Sequence, residues 1–398
     1  MKRPPTYLGE PIFEVYDHDD VIERAERTLW PGSQDFVTVD EPDSFLSFVV
    51  NSDGPYVYDC DGTRYVDTFL GSGTVILGHQ SAAATIYGDA QHRLPGPSAS
   101  LRHPMEVILG ERLGGLIPSA DRVAYFKTGS EAVHMALRCA LRKNAGDTVI
   151  SVGYHGWLPP LTGDRLVSED VTVVEPEPES DAVLRAVREH DSDLAAVLLG
   201  PEPGFLNPDC YRRVAALTED AGGSVIMDEV KSGFRAAFPC LTAEFKIAPE
   251  FVVLGKAVAN GSPLAVLCAD ETVFEGTDLP EFYSTFASER TSLASAIETI
   301  RALENGGFAE FEAASEHMYD ILSDSTEYGE AAVSGSPTFF TPDSDIVPTT
   351  AVSEALLEED VLFHPYGQLL VSAAHNRTDV LDPLSEAWHS AMKVDDRA

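Results

Sequence analysis

Short apolar runs recur between residues 123 and 267, each bounded by Gly, Pro or Asp and each separated from the next by a stretch with helical spacing. They are Val123-Ala124-Tyr125-Phe126, Val149-Ile150-Ser151-Val152, Ala195-Ala196-Val197-Leu198-Leu199, Ser224-Val225-Ile226-Met227, Phe251-Val252-Val253-Leu254 and Leu264-Ala265-Val266-Leu267. Unbroken apolar runs of this kind suit strands buried on both faces. Their alternation with helices predicts an α/β fold built on a largely parallel sheet. Val133, Ala136, Leu137, Ala140 and Leu141 predict a helix over about 131–143, with Gly146 as its stop. Tyr56-Val57-Tyr58-Asp59-Cys60, Asp61-Gly62 and Thr63-Arg64-Tyr65-Val66-Asp67 read as strand, tight turn and strand, a β-hairpin. After residue 290 a helical stretch from Leu293 to Leu303 leads into weaker patterning, where His364-Pro365 and Leu369-Leu370-Val371-Ser372 belong to a smaller α+β unit. The expected organisation is an N-terminal segment 1–70 contributing to the small domain, a large domain 71–290 and a C-terminal small domain 291–398.

Composition changes this picture at one point, the charge. With 44% hydrophobic residues in 398 the chain is globular, and no apolar run approaches the roughly 20 residues of a membrane span. Met1-Lys2-Arg3-Pro4-Pro5 is followed by Asp, Glu and Pro, so no secretory signal is expected and the cytoplasm is the expected location. Against 27 Lys and Arg stand 65 Asp and Glu, a net charge of −38. Self-repulsion at that level opposes compaction, and at ~1 M salt a Debye length of about 3 Å screens most of it. A salt-rich, halophile-type cytoplasm is the reading this favours over an ordinary acidic protein. Nucleic acid and anionic membrane are excluded as expected partners. Cys60, Cys139, Cys210, Cys240 and Cys268 are scattered and lack metal-ligand spacing, so buried free thiols are expected.

Three constellations carry candidate chemistry. Lys127-Thr128-Gly129-Ser130-Glu131-Ala132 sits between a strand and a helix, where first-turn N–H groups, hydroxyls and the helix dipole make a phosphate site. Ordinary N-capping uses the same residues. Ser224 to Val230 is an apolar strand delivering Asp228 and Glu229 at its C-terminal end, where α/β sheets bind ligands. Such a carboxylate can keep a pyridine nitrogen protonated, or the two together can form a metal-binding or nucleotide-hydrolysing pair. The absence of GxxxxGK[ST] lowers the last alternative. In Leu254-Gly255-Lys256-Ala257 a lysine follows an apolar strand, a place where desolvation makes the amine a Schiff-base nucleophile and proton shuttle. A surface lysine at a strand end is the plainer alternative.

Taken together the motifs resemble the class-III, pyridoxal-phosphate-dependent aminotransferases, and most closely the glutamate-1-semialdehyde 2,1-aminomutase branch. The resemblance rests on Thr128-Gly129-Ser130-Glu131-Ala132, Tyr154-His155-Gly156, Asp228-Glu229-Val230 with Gly233-Phe234-Arg235, Gly255-Lys256 and Ser284-Thr285-Phe286, in that order, and covers roughly residues 25 to 390. It implies a fold-type-I transferase and pyridoxal 5'-phosphate as cofactor. Thr128, Gly129 and Ser130 would hold the phosphate, Tyr154 would stack on the ring with His155 beside it, and Asp228 would pair with the ring nitrogen. Val230 would pack on the ring, and Lys256 would carry the Schiff base and move the proton. By the same resemblance Thr285 would reach the phosphate of a neighbouring subunit in a homodimer with a shared active site, and Glu202 would lie near substrate. Trp30 and Trp157 stand outside this set, since packing explains each equally well.

The chain also departs from the family pattern. About forty residues separate Gly156 from Ala195, too few for the long glycine-rich gating segment of the aminomutase. Ala259-Asn260-Gly261 stands for Gly-Gly-Gly, and Ala287-Ser288-Glu289 for Gly-Asn-Pro. The expected function is therefore amino transfer between a small-molecule amino donor and a carbonyl acceptor, with the intramolecular aminomutase as runner-up and a non-catalytic cofactor-binding homologue as third reading.

Overall fold

A computed structural model describes residues 6–7, 10–11, 23–24, 27–28, 48–81, 102–161, 171–201, 206–276, 278–323, 333–336, 338–342, 349–363 and 369–391. The chain divides into two compact units, one of residues 1–81 with 306–398 and one of residues 82–305. In chain order the strands of the two larger sheets are β1 (Asn51–Asp53), β2 (Tyr56–Tyr58), β3 (Arg64–Asp67), β4 (Arg122–Phe126), β5 (Thr148–Val152), β6 (Thr172–Val174), β7 (Leu194–Leu199), β8 (Ser224–Glu229), β9 (Phe251–Leu254), β10 (Ala265–Ala269) and β11 (Val361–Leu362).

In the unit of residues 82–305 seven strands form one sheet in the order β4-β10-β9-β8-β7-β5-β6. Every pair is parallel except those of β10, which runs against both neighbours. Because β10 is antiparallel to β9 and to β4, β4 points the same way as β9. The C-terminal ends of β4, β5, β8 and β9 therefore share one edge, and the candidates other than Glu202 and Thr285 lie at or just past those ends. Every residue of β5, β7, β8, β9 and β10 is buried, which is why these strands read as continuous apolar runs.

The Gly129–Lys143 helix buries Ala132, Val133, Met135, Ala136, Leu137, Cys139 and Ala140 in a core shared with Ile226, Phe251 and Val253 of the sheet. It begins two residues before the predicted start, because Thr128 caps it. The turn into β5 is tight enough that a Cβ on Gly146 would stand 2.2 Å from the Asp193 carbonyl oxygen.

In the unit of residues 1–81 with 306–398 the sheet order is β11-β3-β2-β1, with β11 parallel to β3 and the other pairs antiparallel. The β2–β3 hairpin is present, but its connection is longer than an Asp-Gly turn. Tyr58 pairs with Arg64, and Asp59 Oδ1 accepts from the backbone N–H groups of Asp61 and Thr63 at 2.9 and 2.8 Å. The Thr378–Ala391 helix buries Trp388 fully. His364-Pro365 lies outside the described residues.

All five cysteines are free thiols, with four buried and Cys60 half-buried. Burial pushes Cys139 up to about 11. Among the described residues no helix is long and apolar enough to cross a membrane.

Candidate functional site

The first-turn groups of the Gly129–Lys143 helix are partitioned by one glutamate. Thr128 Oγ1 accepts from Glu131 N at 3.3 Å, and Glu131 Oε2 accepts from Lys127 N, Thr128 N and Thr128 Oγ1 at 3.1, 2.9 and 3.1 Å. This reciprocal cap uses up the Thr128 hydroxyl. The N–H groups of Gly129 and Ser130 have no acceptor within the helix and, with the positive end of the dipole, remain for an anion. Residues 153–157, which follow β5, lie hard against this start. Trp157 N donates to Ser130 Oγ at 3.4 Å, and Gly156, at φ +97°, leaves no room for a Cβ, which would meet that oxygen at 2.2 Å.

Alternation along β8 sends Asp228 and Glu229 to opposite faces, so the two do not form a metal or nucleotide pair. Asp228 Oδ2 meets His155 Nδ1 at 2.8 Å, and Oδ1 accepts from Val230 N at 3.1 Å. His155 Nε2 lies 3.0 Å from the Val152 carbonyl, and the imidazole is fully buried. Glu229 instead accepts from Ser232 Oγ at 2.5 Å and from Thr242 N and Oγ1, both at 2.6 Å. Among the described residues no group of three or more His, Cys, Asp or Glu is placed to hold a metal ion.

Val230 joins the remaining pieces. A Cβ on Gly129 would stand 2.7 Å from both Val230 methyls, and one on Gly255 would stand 3.1 Å from Cγ1. The helix start, the end of β8 and the turn after β9 thus converge on one valine. Lys256 opens that turn at φ +45°, half-buried, and Asn260 closes it at φ +42°. Left-handed backbone at a non-glycine residue costs on the order of 1–3 kcal/mol and gathers at functional sites.

Gly129, Ser130, His155, Asp228, Val230 and Lys256 accordingly fall on one connected set of segments. Tyr154 adjoins it and is 81% exposed. Thr285 is exposed between Phe282, Tyr283 and Phe286, all of which also face outward. Glu202 lies outside the described residues. Sequence reasoning gave Lys127 no role, yet its Nζ reaches Pro263 O, Glu289 Oε2 and Ser292 Oγ at 3.0, 3.2 and 3.3 Å. The available signal was a lysine beside the anion loop in a chain poor in lysine.

The family model described as aminotransferase class-III matches residues 38–158 and 167–375. An aminopentol aminotransferase of Sphingopyxis macrogoltabida is 27% identical over 386 residues, covering 92% of this chain and 91% of that protein. A glutamate-1-semialdehyde 2,1-aminomutase of Haloarcula marismortui is 28% identical over 305 residues, 71% of this chain and 68% of that one. Among solved structures, the FumI protein of a Sphingopyxis species, in a PLP internal aldimine form, matches with a TM-score of 0.84 over 96% of both chains at 24% identity. An omega-transaminase from Sphaerobacter thermophilus matches with a TM-score of 0.80 over 94% of this chain and 97% of that one at 19% identity.

Proposed function

The chain belongs to the class-III aminotransferases, a pyridoxal-phosphate family, and on that premise we propose that Lys256 carries the cofactor as a Schiff base and serves amino transfer from a small-molecule amino donor to a carbonyl acceptor. One observation carries the assignment of residues: Val230 packs against both Gly129 and Gly255, which puts the anion loop, the Asp228 strand end and the Lys256 turn on one continuous surface.

The residues present fit the group. Gly129 and Ser130 offer two N–H donors at a helix start for its phosphate, Asp228 offers an oriented carboxylate for a protonated ring nitrogen, and Lys256 offers the amine. When bound, pyridoxal phosphate supplies a sink for the electron pair left as a substrate C–H bond breaks. Asp228, steadied by His155, holds a proton at the ring nitrogen. Val230 and Tyr154 give apolar surface to the ring. Lys256 Nζ takes the proton from the substrate carbon and returns it elsewhere, which its half-buried position at the strand end allows. Thr285, among exposed aromatic residues that suit a subunit contact, serves the phosphate of a neighbouring chain in a homodimer. The acidic composition supports a salt-rich cytoplasm as the setting.

A second reading, intramolecular amino transfer, is favoured by the aminomutase relatives at 25–31% identity. Half-reactions separate the two: a transaminase accumulates free keto product from its donor, whereas a mutase need not. The assignment of Lys256 is tested by an absorbance spectrum of protein prepared in high salt with the cofactor, repeated after borohydride reduction, with peptide mapping. A near-visible band that disappears on reduction, with the adduct on Lys256, is expected. An adduct on another lysine overturns the assignment.

A further inference from the structure

The ammonium group of Lys127 meets three acceptors, one for each of its protons: the Pro263 carbonyl, Glu289 Oε2 and Ser292 Oγ. With its valences used in this way, Lys127 is no spare cation waiting for a phosphate. Its side chain and that of Glu289 are 18% and 9% exposed. Burial pulls the Lys127 ammonium below its ordinary value, against the opposing pull of Glu289. Burial alone would raise the Glu289 carboxyl, but hydrogen bonds from Ser292 and Thr291 and the charge of Lys127 outweigh it, so it stands below the usual carboxylate range. The lowered Glu289 carboxyl is the counter-ion set against the Lys127 amine.

Each of the three anchors belongs to a segment that bears a residue of the proposed site. Lys127 itself precedes Thr128-Gly129-Ser130. Pro263 follows the Lys256 turn on the way into β10, and that turn is tied further to the Arg290–Ala302 helix by Ser295 Oγ, which donates to Ala259 O at 2.9 Å. Glu289 caps the same helix, accepting from Thr291 N at 2.6 Å and from Ser292 N and Oγ at 3.1 and 2.7 Å. Its own N–H donates to Phe286 O at 3.1 Å, and Ala287 N donates to Ser284 O at 3.2 Å, so the stretch holding Thr285 is wound onto that cap.

We propose that Lys127 is a positioning residue, a buried ammonium strut that, through Glu289, Ser292 and Pro263, fixes the anion loop relative to the Lys256 turn and the Thr285 segment. The inference rests on the cofactor reading above and assigns a role to two residues that reading leaves idle. A strut of this kind acts on how well the cradle grips the phosphate. Loss of one partner leaves a buried charge without its counter-ion, so either single change should loosen the cradle.

The test compares binding of pyridoxal phosphate and of pyridoxal, which lacks the phosphate, to the apo-protein in high salt, by absorbance titration. Lys127→Met and Glu289→Gln are each expected to cut the preference for the phosphorylated form by about tenfold, the scale of one lost charged hydrogen bond. The double variant should lose about as much as either single one, because the two act as a unit, and Lys127→Arg should retain most of the preference. Should Lys127→Met fail to fold, Glu289→Gln carries the test alone, since its amide oxygen still caps the helix. A preference unchanged in both variants overturns the strut. A preference that rises in Glu289→Gln overturns it as well, since the freed ammonium would then be acting on the phosphate directly. If the wild-type protein yields no borohydride-trapped adduct on Lys256, the cofactor reading itself falls; if it does and the preference is unmoved, only the strut falls.

Discussion

Strand alternation sends Asp228 toward His155 and Glu229 toward Ser232 and Thr242, and the two environments treat a carboxylate differently. Burial pushes the Glu229 carboxyl above the ordinary carboxylate range, with hydrogen bonds from Ser232 and Thr242 opposing the shift. A group whose folded value is raised contributes its full stability below its unfolded value, about 4.3 for glutamate, and loses it as pH rises through the folded value. Glu229→Gln keeps an acceptor for Thr242 and a contact for Ser232 but cannot ionise. Urea unfolding at stepped pH should therefore show the variant gaining on the wild type as pH climbs above the ordinary glutamate range, and parallel curves would count against this account. Glu229→Ala, which strands three buried donors, should cost about 2–4 kcal/mol at every pH.

At the scale of elements the site depends on how closely the Gly129–Lys143 helix, β8 and the turn after β9 approach one another, and Val230 sets that spacing. Gly129→Ala places a methyl 2.7 Å from both Val230 methyls, so the helix start must move. Such overpacking costs about 1–3 kcal/mol, and pyridoxal phosphate should bind at least tenfold more weakly. Adding Val230→Ala removes the obstructing methyls and should restore part of that affinity; calorimetric titration of the single and double variants reads both effects, and no recovery would mean that Val230 is not the contact that matters. Five of the six apolar runs were legible as strands because burial on both faces leaves few polar positions to interrupt them, and Val123–Phe126 because its own residues are apolar although its start is only half-buried. The same uniformity hid direction, and nothing in Leu264-Ala265-Val266-Leu267 marks β10 as the antiparallel member. Thr172–Val174 was missed because three partly exposed residues give no run to detect. The five-residue β2–β3 connection escaped because Asp59, read as a strand residue, turns its carboxylate onto the loop. At the site, Gly129, Asp228 and Lys256 announce themselves by what stands beside them in the chain. Lys127 and Glu289 lie 162 residues apart, and no local pattern pairs them.

For the molecule as a whole, the net charge of −38 sets a condition on folding that no single contact offsets. Exposed pairs such as Arg122 with Glu271 and Arg142 with Asp278 are screened by solvent and contribute little, and basic residues are too few to match the acidic ones. What remains is repulsion among unpaired carboxylates, which acts over a Debye length of about 10 Å at 0.1 M salt and about 3 Å at 1 M. Raising KCl from ~0.1 to ~2 M should lift the thermal unfolding midpoint by several degrees, roughly the effect of 1–2 kcal/mol in a chain of this size. Salt also strengthens apolar burial, so the charge contribution needs its own control. Glu175 and Glu177 are exposed in the loop that follows β6, and reversing both to lysine changes charge with little change in packing. If repulsion is the cause, the Glu175→Lys, Glu177→Lys variant should unfold at a higher midpoint than the wild type in low salt, and the gap should narrow as KCl rises. A midpoint equally salt-dependent in both proteins would assign the response to apolar burial and remove the physical argument for a high-salt setting.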